Sequence, residues 1–383
     1  MADLCFELSP RIVVSSYGVS RLGAFLSDLG KRWIVVLDPS LRETNIVKTV
    51  QYSLDNAELH YFIFDNIGPR AKGDSEIIAD AAALASQAGI DGVAAIGGSR
   101  ALNVGRFLAA LYGSGKSVYD CLDAGEIDAA RALPVVCVPS TAKNAHMFTS
   151  IIPAADARSR QLKLVKLKNG GGGSLVLMDS QLLVSLTDNQ IVSAAMEILC
   201  LAAEAYLSDR ASFFSDMFAE KSVSLLGSYF AADTAGSGSE ELLTEAGCAA
   251  SLACAASAAG AASLVAMTAN ARFSVQKSHT AAILLPYLIE DAVSYKAAQL
   301  DALSRLIGVA KADGTREENA ALFAGFIRDR MASAHLPARL KDLNISIDEL
   351  AAVVEDAGRL EAMNSLQRSM TADDLFSLVK RAF

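Results

Sequence analysis

The feature that most constrains this chain is a change in sequence pattern near residue 180. Before it, short β-branched and apolar runs alternate with helical stretches; after LVLMD (175–179) the strand signals stop and helical patterns continue to Phe383. Runs this uniformly apolar are typical of buried parallel strands. They are WIVVLD (33–38), LHYFIFD (59–65), GVAAIGG (92–98) and LPVVCVPST (133–141). This pattern predicts an α/β, Rossmann-like doubly wound domain over residues 1–184, followed by an all-α helical domain over residues 185–383.

Composition argues against several classes of partner. The net charge of −9 disfavours nucleic acids and anionic membranes, because both need a basic surface. The six cysteines lack CxxC spacing and no basic, apolar leader precedes them, so we expect reduced thiols in a cytoplasmic protein. No charge occurs between Glu245 and Arg272, but Ala, Ser and Gly dominate there. We expect one central helix packed in a soluble bundle, not a membrane span.

Two strand ends carry groups suited to a dinucleotide. The turn Gly97-Gly98-Ser99 follows a strand and opens a helix, which leaves bare backbone N–H groups where a pyrophosphate can bind. Asp38 ends another strand and can accept both ribose hydroxyls of an adenosine, which favours NAD over NADP. Each signal alone is weak, since glycine often serves packing only and Asp38 is equally well a turn residue before Pro39. Their shared place at the carboxyl ends of strands strengthens both.

Taken in order, these segments resemble the group III iron-containing alcohol dehydrogenase family, in the dehydroquinate synthase-like superfamily, almost from end to end. PRIVVSSYGVSRL (10–22) resembles the family's first hairpin, and VPSTAKNAHMFTS (138–150) its second nucleotide turn. LVLMDSQLLVSLTDNQIVSAAMEILCLAAEAY (175–206) resembles the strand and long helix that enter the metal-binding domain. ILLPYLIEDA (283–292) and NSLQRSMTADDLFSLVKRAF (364–383) complete the match.

The resemblance implies an NAD-binding enzyme that interconverts a small alcohol with an aldehyde or ketone. NADP is the less favoured cofactor, and the family's habit suggests a homodimer or larger homo-oligomer. The positions that it carries over to the cofactor are the pyrophosphate turn, the ribose residue, the adenine-side hydroxyls and two further neighbours of the nucleotide: Gly97, Gly98, Ser99, Asp38, Ser140, Thr141, Leu182 and Lys163.

The sequence departs from the family's pattern around the same site. Lys143, Ala145 and His146 replace small residues where the family's backbone approaches the nicotinamide, so the pocket is narrower or suited to an anionic substrate. Asn103 and Arg106 have the family's Asp-to-Lys spacing but are displaced by one residue. Dinucleotide binding is still the expectation.

The metal site is where the resemblance ends. The family binds iron or zinc with one Asp and three His residues, and those positions here hold Glu197, Leu201, Ser263 and Lys277. An ammonium group has no lone pair to donate, so we expect no metal and assign no metal ligand. His279 could restore one ligand by a two-residue slip, but even then two ligands are too few.

We expect Glu197 to form an ion pair with Lys277 in the place of the metal. Two functions then compete. In a metal-independent oxidoreductase, Lys277 polarises the substrate carbonyl. Glu197, or His279 by proton relay, tunes this lysine. In the alternative, the chain is a catalytically inactive nucleotide-binding or regulatory homologue. The apolar Leu201 favours this, as does Met267, which stands where the family has a further His beside the nicotinamide. A dehydroquinate-synthase-like reaction comes third, because it needs the same missing ligands.

Overall fold

The computed structural model describes residues 6, 8, 10–68, 73–170, 173–232 and 239–383. The chain divides into two units, Glu7–Ser185 and a second that contains Leu186–Phe383. The first is built on β-sheets with flanking helices, and the second is helical throughout its described residues. The fold class predicted from the sequence is therefore confirmed.

A six-stranded parallel sheet forms the centre of the first unit. Its strands follow the order β1-β9-β6-β4-β2-β3, and every pairing in it is parallel. The strands of the unit are β1 (Arg11–Ser15), β2 (Arg32–Leu37), β3 (His60–Phe64), β4 (Gly92–Gly97), β5 (Glu126–Asp128), β6 (Val135–Pro139), β7 (Ile151–Asp156), β8 (Gln161–Lys168) and β9 (Leu175–Asp179). Its helices are α1 (Leu22–Ser27), α2 (Asn45–Asn56), α3 (Asp74–Ala88), α4 (Ser99–Tyr112) and α5 (Val118–Ala124).

The apolar runs became strands because both faces of this sheet are covered. β4, β6 and β9 are buried at every position, and β2 at all but its first residue. One cluster of the core joins Trp33, Val35 and Leu37 to side chains from the neighbouring strands and from α1 and α2. α3 stops at Gly89, which has the positive φ of 60° that glycine adopts most readily.

Within the described residues, the first segment pairs with a distant strand and not in the hairpin that its resemblance suggested. β1 pairs with β9 in parallel, Arg11 opposite Leu175 and Ser15 opposite Asp179. The Asp179 carboxylate accepts hydrogen bonds from the backbone N–H groups of Tyr17 (3.0 Å) and Val19 (2.8 Å), and so fixes the turn that leaves β1. The turn after β1 is therefore held by a buried carboxylate that is 160 residues away along the chain.

A second sheet, of three strands in the order β5-β8-β7, was not predicted from the sequence. β7 and β8 form an antiparallel hairpin, with Ile151 opposite Lys166 and Asp156 opposite Gln161. β8 alternates charged and apolar residues as one-sided strands do, a pattern different from the fully apolar runs that predicted the main sheet. The chain then reaches β9 through KNGGGGS (168–174), of which residues 171–172 lie outside the described part.

The second unit is a bundle of long helices. They are α6 (Asp188–Leu207), α7 (Phe213–Ala231), α8 (Ser239–Ala256), α9 (Ala261–Phe273), α10 (Lys277–Ile307), α11 (Arg316–Ser333), α12 (Ile347–Gly358) and α13 (Ala372–Arg381). Their starts are well defined by sequence, because Thr187, Ser212 and Thr315 each cap a helix through a side-chain oxygen in a capping box. α6 packs against α7, α8, α9 and α10, so it lies at the centre of the bundle.

The charge-free segment is two helices rather than the one we expected. α8 and α9 are separated by four residues and bent by 98° from each other. The buried carboxylate of Glu204 accepts hydrogen bonds from the backbone N–H groups at the start of α9, and so fixes where that helix begins. By length and composition, α6 and the bent pair taken together could each cross a membrane, but 78% of the apolar window of α6 is buried inside the protein.

Candidate functional site

The predicted nucleotide residues of the first unit meet at the carboxyl edge of its main sheet. β2, β4 and β6 are neighbours, with Leu37 opposite Ile96 and Gly97 opposite Pro139. The residues that follow the strands are linked directly: Asp38 N–H donates to the Ile96 carbonyl (2.9 Å), and Ser140 N–H donates to the Gly97 carbonyl (2.9 Å). Asp38, the Gly97-Gly98-Ser99 turn and Ser140 are therefore assembled at one place, where parallel sheets bind ligands.

Gly97 is at a position that only glycine fits. Its φ is 144°, and a Cβ built there would lie 2.3 Å from the Asp38 Cβ and 3.1 Å from that of Ala101. The absence of a side chain lets the turn pass close to Asp38 before α4 starts at Ser99. Backbone N–H groups at the start of α4 then face the edge of the sheet, which is the arrangement that binds a pyrophosphate.

The Asp38 carboxylate accepts more hydrogen bonds from the protein itself than the sequence indicated. Its Oδ1 accepts hydrogen bonds from the N–H (3.0 Å) and hydroxyl (2.8 Å) of Ser40, and its Oδ2 accepts one from the Gly98 N–H (3.2 Å). A carboxylate offers roughly four lone-pair directions, so about one remains for a ribose hydroxyl. The fit to a ribose persists, but as a single contact rather than the expected pair.

Of the other predicted cofactor residues, two lie at the nucleotide edge and two lie elsewhere in the α/β unit. Ser140 and Thr141 directly follow β6, at the same edge as Asp38 and Gly97. Leu182 is only 2% exposed and belongs to the hydrophobic core, so contact with a nucleotide requires its neighbours to move. Lys163 lies on β8 of the small sheet, where it helps to lower the pKa of Asp156, an effect due mainly to the hydrogen bond from Arg158.

Arg100 is a site residue that the sequence analysis missed. It follows the glycine turn directly, and its Nε donates to the Asp74 carboxylate (2.7 Å). Its guanidinium also donates to the carbonyls of Ile67 (3.3 Å) and Gly68 (2.6 Å). Arg100 therefore attaches the loop after β3 to the start of α4. An arginine in the first turn of the helix, with an acidic residue opening α3, was the available signal.

Arg106 has a structural role that its spacing did not reveal. It is 1% exposed, and its guanidinium donates to the backbone carbonyls of His146 (2.8 Å), Thr149 (2.6 Å) and Ile151 (3.3 Å). Burial lowers the pKa of this guanidinium, yet an arginine stays charged in a protein. Lys143 and His146 of the same segment are also buried. Arg106 thus holds the backbone that follows Lys143, in the segment where Lys143, Ala145 and His146 replace the family's small residues.

In the helical unit, Glu197 lies beside the first turn of α10. The hydroxyl of Ser278 donates to the Glu197 Oε2, and Glu197 itself is buried. Ser278 directly follows Lys277, so the two predicted partners lie on helices that meet at this point. The Glu197–Lys277 ion pair remains a prediction. Ser278 was missed, because a serine next to a lysine carries no signal on its own.

His279, on α10, contacts Ser193, which lies one helical turn before Glu197 on α6. Its Nε2 is 3.0 Å from the Ser193 hydroxyl, and that hydroxyl donates to the Asn189 carbonyl at 2.7 Å. Because the single hydroxyl proton is used, Nε2 must be the donor and the neutral ring has its lone pair on Nδ1. Burial lowers the pKa of the imidazole below its usual value. A neutral histidine of this kind can take up a proton.

The four positions that the resemblance assigns to a metal hold one carboxylate, one hydroxyl, one aliphatic side chain and one amine. Leu201 is 2% exposed and fills space in α6. The described residues contain no group of three or more His, Cys, Asp or Glu side chains that could hold a metal ion. Iron and zinc need three or four lone-pair donors, so this donor set does not fit such an ion.

Glu204 is the clearest residue that the sequence analysis overlooked. Its carboxylate accepts hydrogen bonds from the N–H groups of Gly260 (3.1 Å), Ala262 (2.6 Å) and Ser263 (3.2 Å) at the start of α9. A Cβ on Gly260 would lie 2.8 Å from this side chain, which explains the glycine. Burial raises the pKa of the carboxyl, while the hydrogen bonds to α9 oppose that shift.

The cysteines of the described chain are free and buried. They are Cys121, Cys137, Cys200, Cys248 and Cys254, and Cys5 lies outside the described residues. Burial raises the pKa of the Cys137 thiol to about 11 and that of the Cys248 thiol to about 12. Thiols held protonated in this way are poor nucleophiles and poor metal ligands.

Two family models match the sequence and together cover nearly all of it. The model described as iron-containing alcohol dehydrogenase matches residues 9–169. The model of the C-terminal part of the Fe-containing alcohol dehydrogenase family matches residues 191–383, which is the helical unit.

Individual relatives are distant in sequence but close in fold. The NAD-dependent methanol dehydrogenase of Bacillus methanolicus is 23% identical over 227 residues, which are 58% of this chain and 58% of that protein. A 1,3-propanediol oxidoreductase structure superposes with a TM-score of 0.89 at 19% identity, covering 99% of this chain and 100% of the other. The sulfoacetaldehyde reductase of Bifidobacterium kashiwanohense, solved with NAD⁺, gives 0.82 at 17% identity, covering 100% and 99%.

Proposed function

Because this chain belongs to the iron-containing alcohol dehydrogenase family, we propose that it is an NAD-linked oxidoreductase. It interconverts a small alcohol with its aldehyde or ketone, and it does so without a metal ion. One relative with a matching sequence is named an NAD-dependent methanol dehydrogenase, and a reductase solved with NAD⁺ has the same fold. Both relatives support a nicotinamide dinucleotide and a small substrate.

The observation that carries the proposal is the assembled carboxyl edge of the main sheet. Gly97 brings the turn before α4 close to Asp38, and Ser140 is hydrogen-bonded to the same turn. These groups supply donors for a pyrophosphate and an acidic acceptor for a ribose hydroxyl. The acidic acceptor is also the reason to propose NAD rather than NADP, since a 2′-phosphate would be repelled by it.

The helical unit supplies the polar groups proposed for the chemistry. Bound NADH supplies the hydride that reduces the carbonyl carbon, and NAD⁺ accepts it in the reverse direction. Lys277 polarises the carbonyl oxygen, as a metal ion does in the family, and its ammonium group donates a proton to that oxygen when the hydride reaches the carbon. Glu197 is the proposed ion-pair partner of this lysine, and His279 relays the proton through its neutral ring.

A second candidate function is a nucleotide-binding protein without catalysis. The observation that favours it is Leu201, an aliphatic side chain that is fully buried at a position where the family has a metal ligand. Both functions keep the nucleotide edge, and they differ only in whether Lys277 acts on a substrate.

Thermal unfolding with added ligand tests the proposal in two steps. Saturation at about 100 times Kd stabilises a protein by about 2.7 kcal/mol, so NADH should raise Tm clearly and NADPH less. Zinc and ferrous iron should leave Tm unchanged; a metal-dependent rise would contradict the metal-free site. A screen of aldehydes and 2-oxo acids with NADH then separates the two functions. Oxidation of NADH that Lys277→Met abolishes supports the enzyme, and binding without turnover supports the alternative.

The remaining proposals concern the state of the protein in the cell. We propose a homodimer or larger assembly in the cytoplasm, on the basis of family membership and of the buried, free thiols. Light scattering after size exclusion gives the mass of the assembly, and a monomer across the micromolar range would contradict it.

A further inference from the structure

Next to the proposed ribose site lies an ion pair whose members end different elements. Arg42 follows the short 3-10 turn Pro39–Leu41 that Asp38 caps, and Asp65 directly follows β3. The Arg42 Nε donates to the Asp65 Oδ2. Because β2 and β3 are parallel neighbours, with Val36 opposite Phe64, Asp38 and Asp65 stand at adjacent strand ends. Arg42 thus follows the acidic residue proposed to bind a ribose by one short helical turn.

An arginine at this place is unexpected in a site that prefers NAD, because it would favour NADP. In dinucleotide folds the acidic residue at the strand end accepts the ribose 2′-hydroxyl, whereas a nearby arginine accommodates the 2′-phosphate of NADP. This chain has both groups four residues apart. A guanidinium is well suited to a phosphate, since it offers a planar fork of donors. Something must therefore keep Arg42 from recruiting NADP.

We infer that the Arg42–Asp65 ion pair sets the choice of NAD over NADP, with Asp65 cancelling an arginine that would otherwise bind the 2′-phosphate. Two carboxylates and one guanidinium give the adenosine end of the site a net charge of −1, to which a phosphate adds nearly −2. Removal of Asp65 makes the local charge zero and leaves the fork of Arg42 facing the ligand. The inference rests on the proposed dinucleotide function and identifies what its cofactor preference depends on.

The hydrogen bond itself shows that Asp65 and Arg42 hold each other in their charged forms. It lowers the pKa of the Asp65 carboxyl, although partial burial opposes the shift, and it raises the pKa of the guanidinium. The pair is accessible, with the side chains 55% and 31% exposed, so a ligand can reach it. An exposed pair contributes little to stability, so its loss should change binding more than folding.

The same sheet provides a matched control at its opposite edge. Arg32 and Asp91 form an ion pair of 2.9 Å at the amino ends of β2 and β4, with side chains 55% and 32% exposed. Removing Asp91 changes the protein's net charge by the same amount as removing Asp65. It lies away from the proposed nucleotide edge, and its carboxylate also accepts hydrogen bonds from the backbone N–H groups of Lys31 (3.0 Å) and Arg32 (2.9 Å).

The test is a fluorescence titration of NADH and NADPH against four proteins: wild type, Asp65→Asn, Asp91→Asn and the double variant Asp65→Asn/Arg42→Met. We expect the ratio of NADPH to NADH affinity to rise about tenfold in Asp65→Asn, as for one new charge-assisted contact. It should stay unchanged in Asp91→Asn, and it should return close to wild type in the double variant. The gain should shrink in added salt, because the pair is exposed.

The possible results distinguish a failure of the ion-pair inference from a failure of the proposed dinucleotide binding. If wild type binds NADH and the ratio in Asp65→Asn stays within about twofold of it, the ion-pair inference is wrong and the NAD site stands. The inference is equally wrong if the double variant keeps the whole gain, because Arg42 is then not the phosphate-binding group. If wild type binds neither dinucleotide, the proposed function fails and the inference falls with it.

Discussion

Arg106 in the α/β unit and Glu204 in the helical unit perform the same task with opposite charges. Arg106 donates to three backbone carbonyls of the segment after β6, and Glu204 accepts from three backbone N–H groups that open α9. Both side chains are at most 2% exposed. Each satisfies backbone groups where regular structure stops, and each supports a segment that differs from the family's pattern.

The difference between the two residues lies in how they can respond to burial. An arginine cannot release its proton, so the site around Arg106 must always accommodate a charge. The Glu204 carboxyl can take up a proton, and burial already raises its pKa. The α/β segment therefore depends on its buried charge more strictly than the start of α9 does. The order of the following effects tests that conclusion.

The largest effect should come from Arg106→Met. Methionine fills much of the volume but leaves the carbonyls of His146, Thr149 and Ile151 without these donors. We expect unfolding free energy to fall by about 3–5 kcal/mol, as when buried charged networks are broken. Urea unfolding measures it. Arg131→Met, at an exposed position, is the control and should change stability by less than about 0.5 kcal/mol. A loss below about 1 kcal/mol at Arg106 would show that the carbonyls find other donors.

Glu204→Leu should cost less, about 2 kcal/mol. Three buried N–H groups lose their acceptor, but the desolvation that raises the pKa of the carboxyl is relieved at the same time. Glu204→Gln keeps one acceptor oxygen and should fall between Leu and wild type. The exposed Glu355→Leu serves as control. If Glu204→Leu proved as costly as Arg106→Met, proton uptake would not be what distinguishes the two sites.

A third and smaller effect concerns the predicted Glu197–Lys277 pair. Glu197 is buried and Lys277 partly exposed, so Lys277→Met should lower unfolding free energy by about 1 kcal/mol. A double-mutant cycle with Glu197→Gln isolates the coupling, and the exposed Lys341→Met is the control. Zero coupling would mean that the Ser278 hydroxyl meets the needs of Glu197 and that the lysine has not replaced the metal.

The sequence predicted those parts of the molecule that follow from periodicity and from chain order. Five apolar runs became strands, and Asp38, Gly97 and Ser140 met because parallel strands place their carboxyl ends together. The contacts that it could not predict join residues far apart in the chain. Arg106 is 40 residues from His146, and Glu204 is 56 from Gly260. No local pattern encodes such a pair.

The same reason explains the two structural corrections. A hairpin was expected after Pro10 because the local segment resembles one, but a carboxylate 160 residues away sets the turn. One helix was expected between Glu245 and Arg272, since no charged residue and no proline interrupts the segment. The second of the two helices starts just after Gly260, where the backbone is capped by Glu204, a residue of another helix. Both errors arose where a distant charged group overrides local preference.

The smallest effect should appear in the pH dependence of stability at His279. Burial lowers its pKa below 6.5 in the folded state, so the unfolded chain takes up the proton first as pH falls. The stability from this group is complete above about pH 6.5 and declines as pH drops through that value toward the lower, folded pKa. Two charged residues lie near His279 along α6 and α10. Glu197 lies one turn along α6 from Ser193, the neutral residue that His279 contacts directly, and Lys277 lies two residues before His279 on α10.

His279→Gln keeps a donor for Ser193 but cannot titrate. Urea unfolding of both proteins from pH 8 to 5 should therefore show the stability of wild type relative to the variant falling only below about pH 6.5. A difference that stays constant over this range would mean that the ring is solvated. A wild type that gains relative stability in acid would mean that Glu197 holds the imidazolium. In that case His279 is already charged near neutral pH and cannot accept the proton assigned to it.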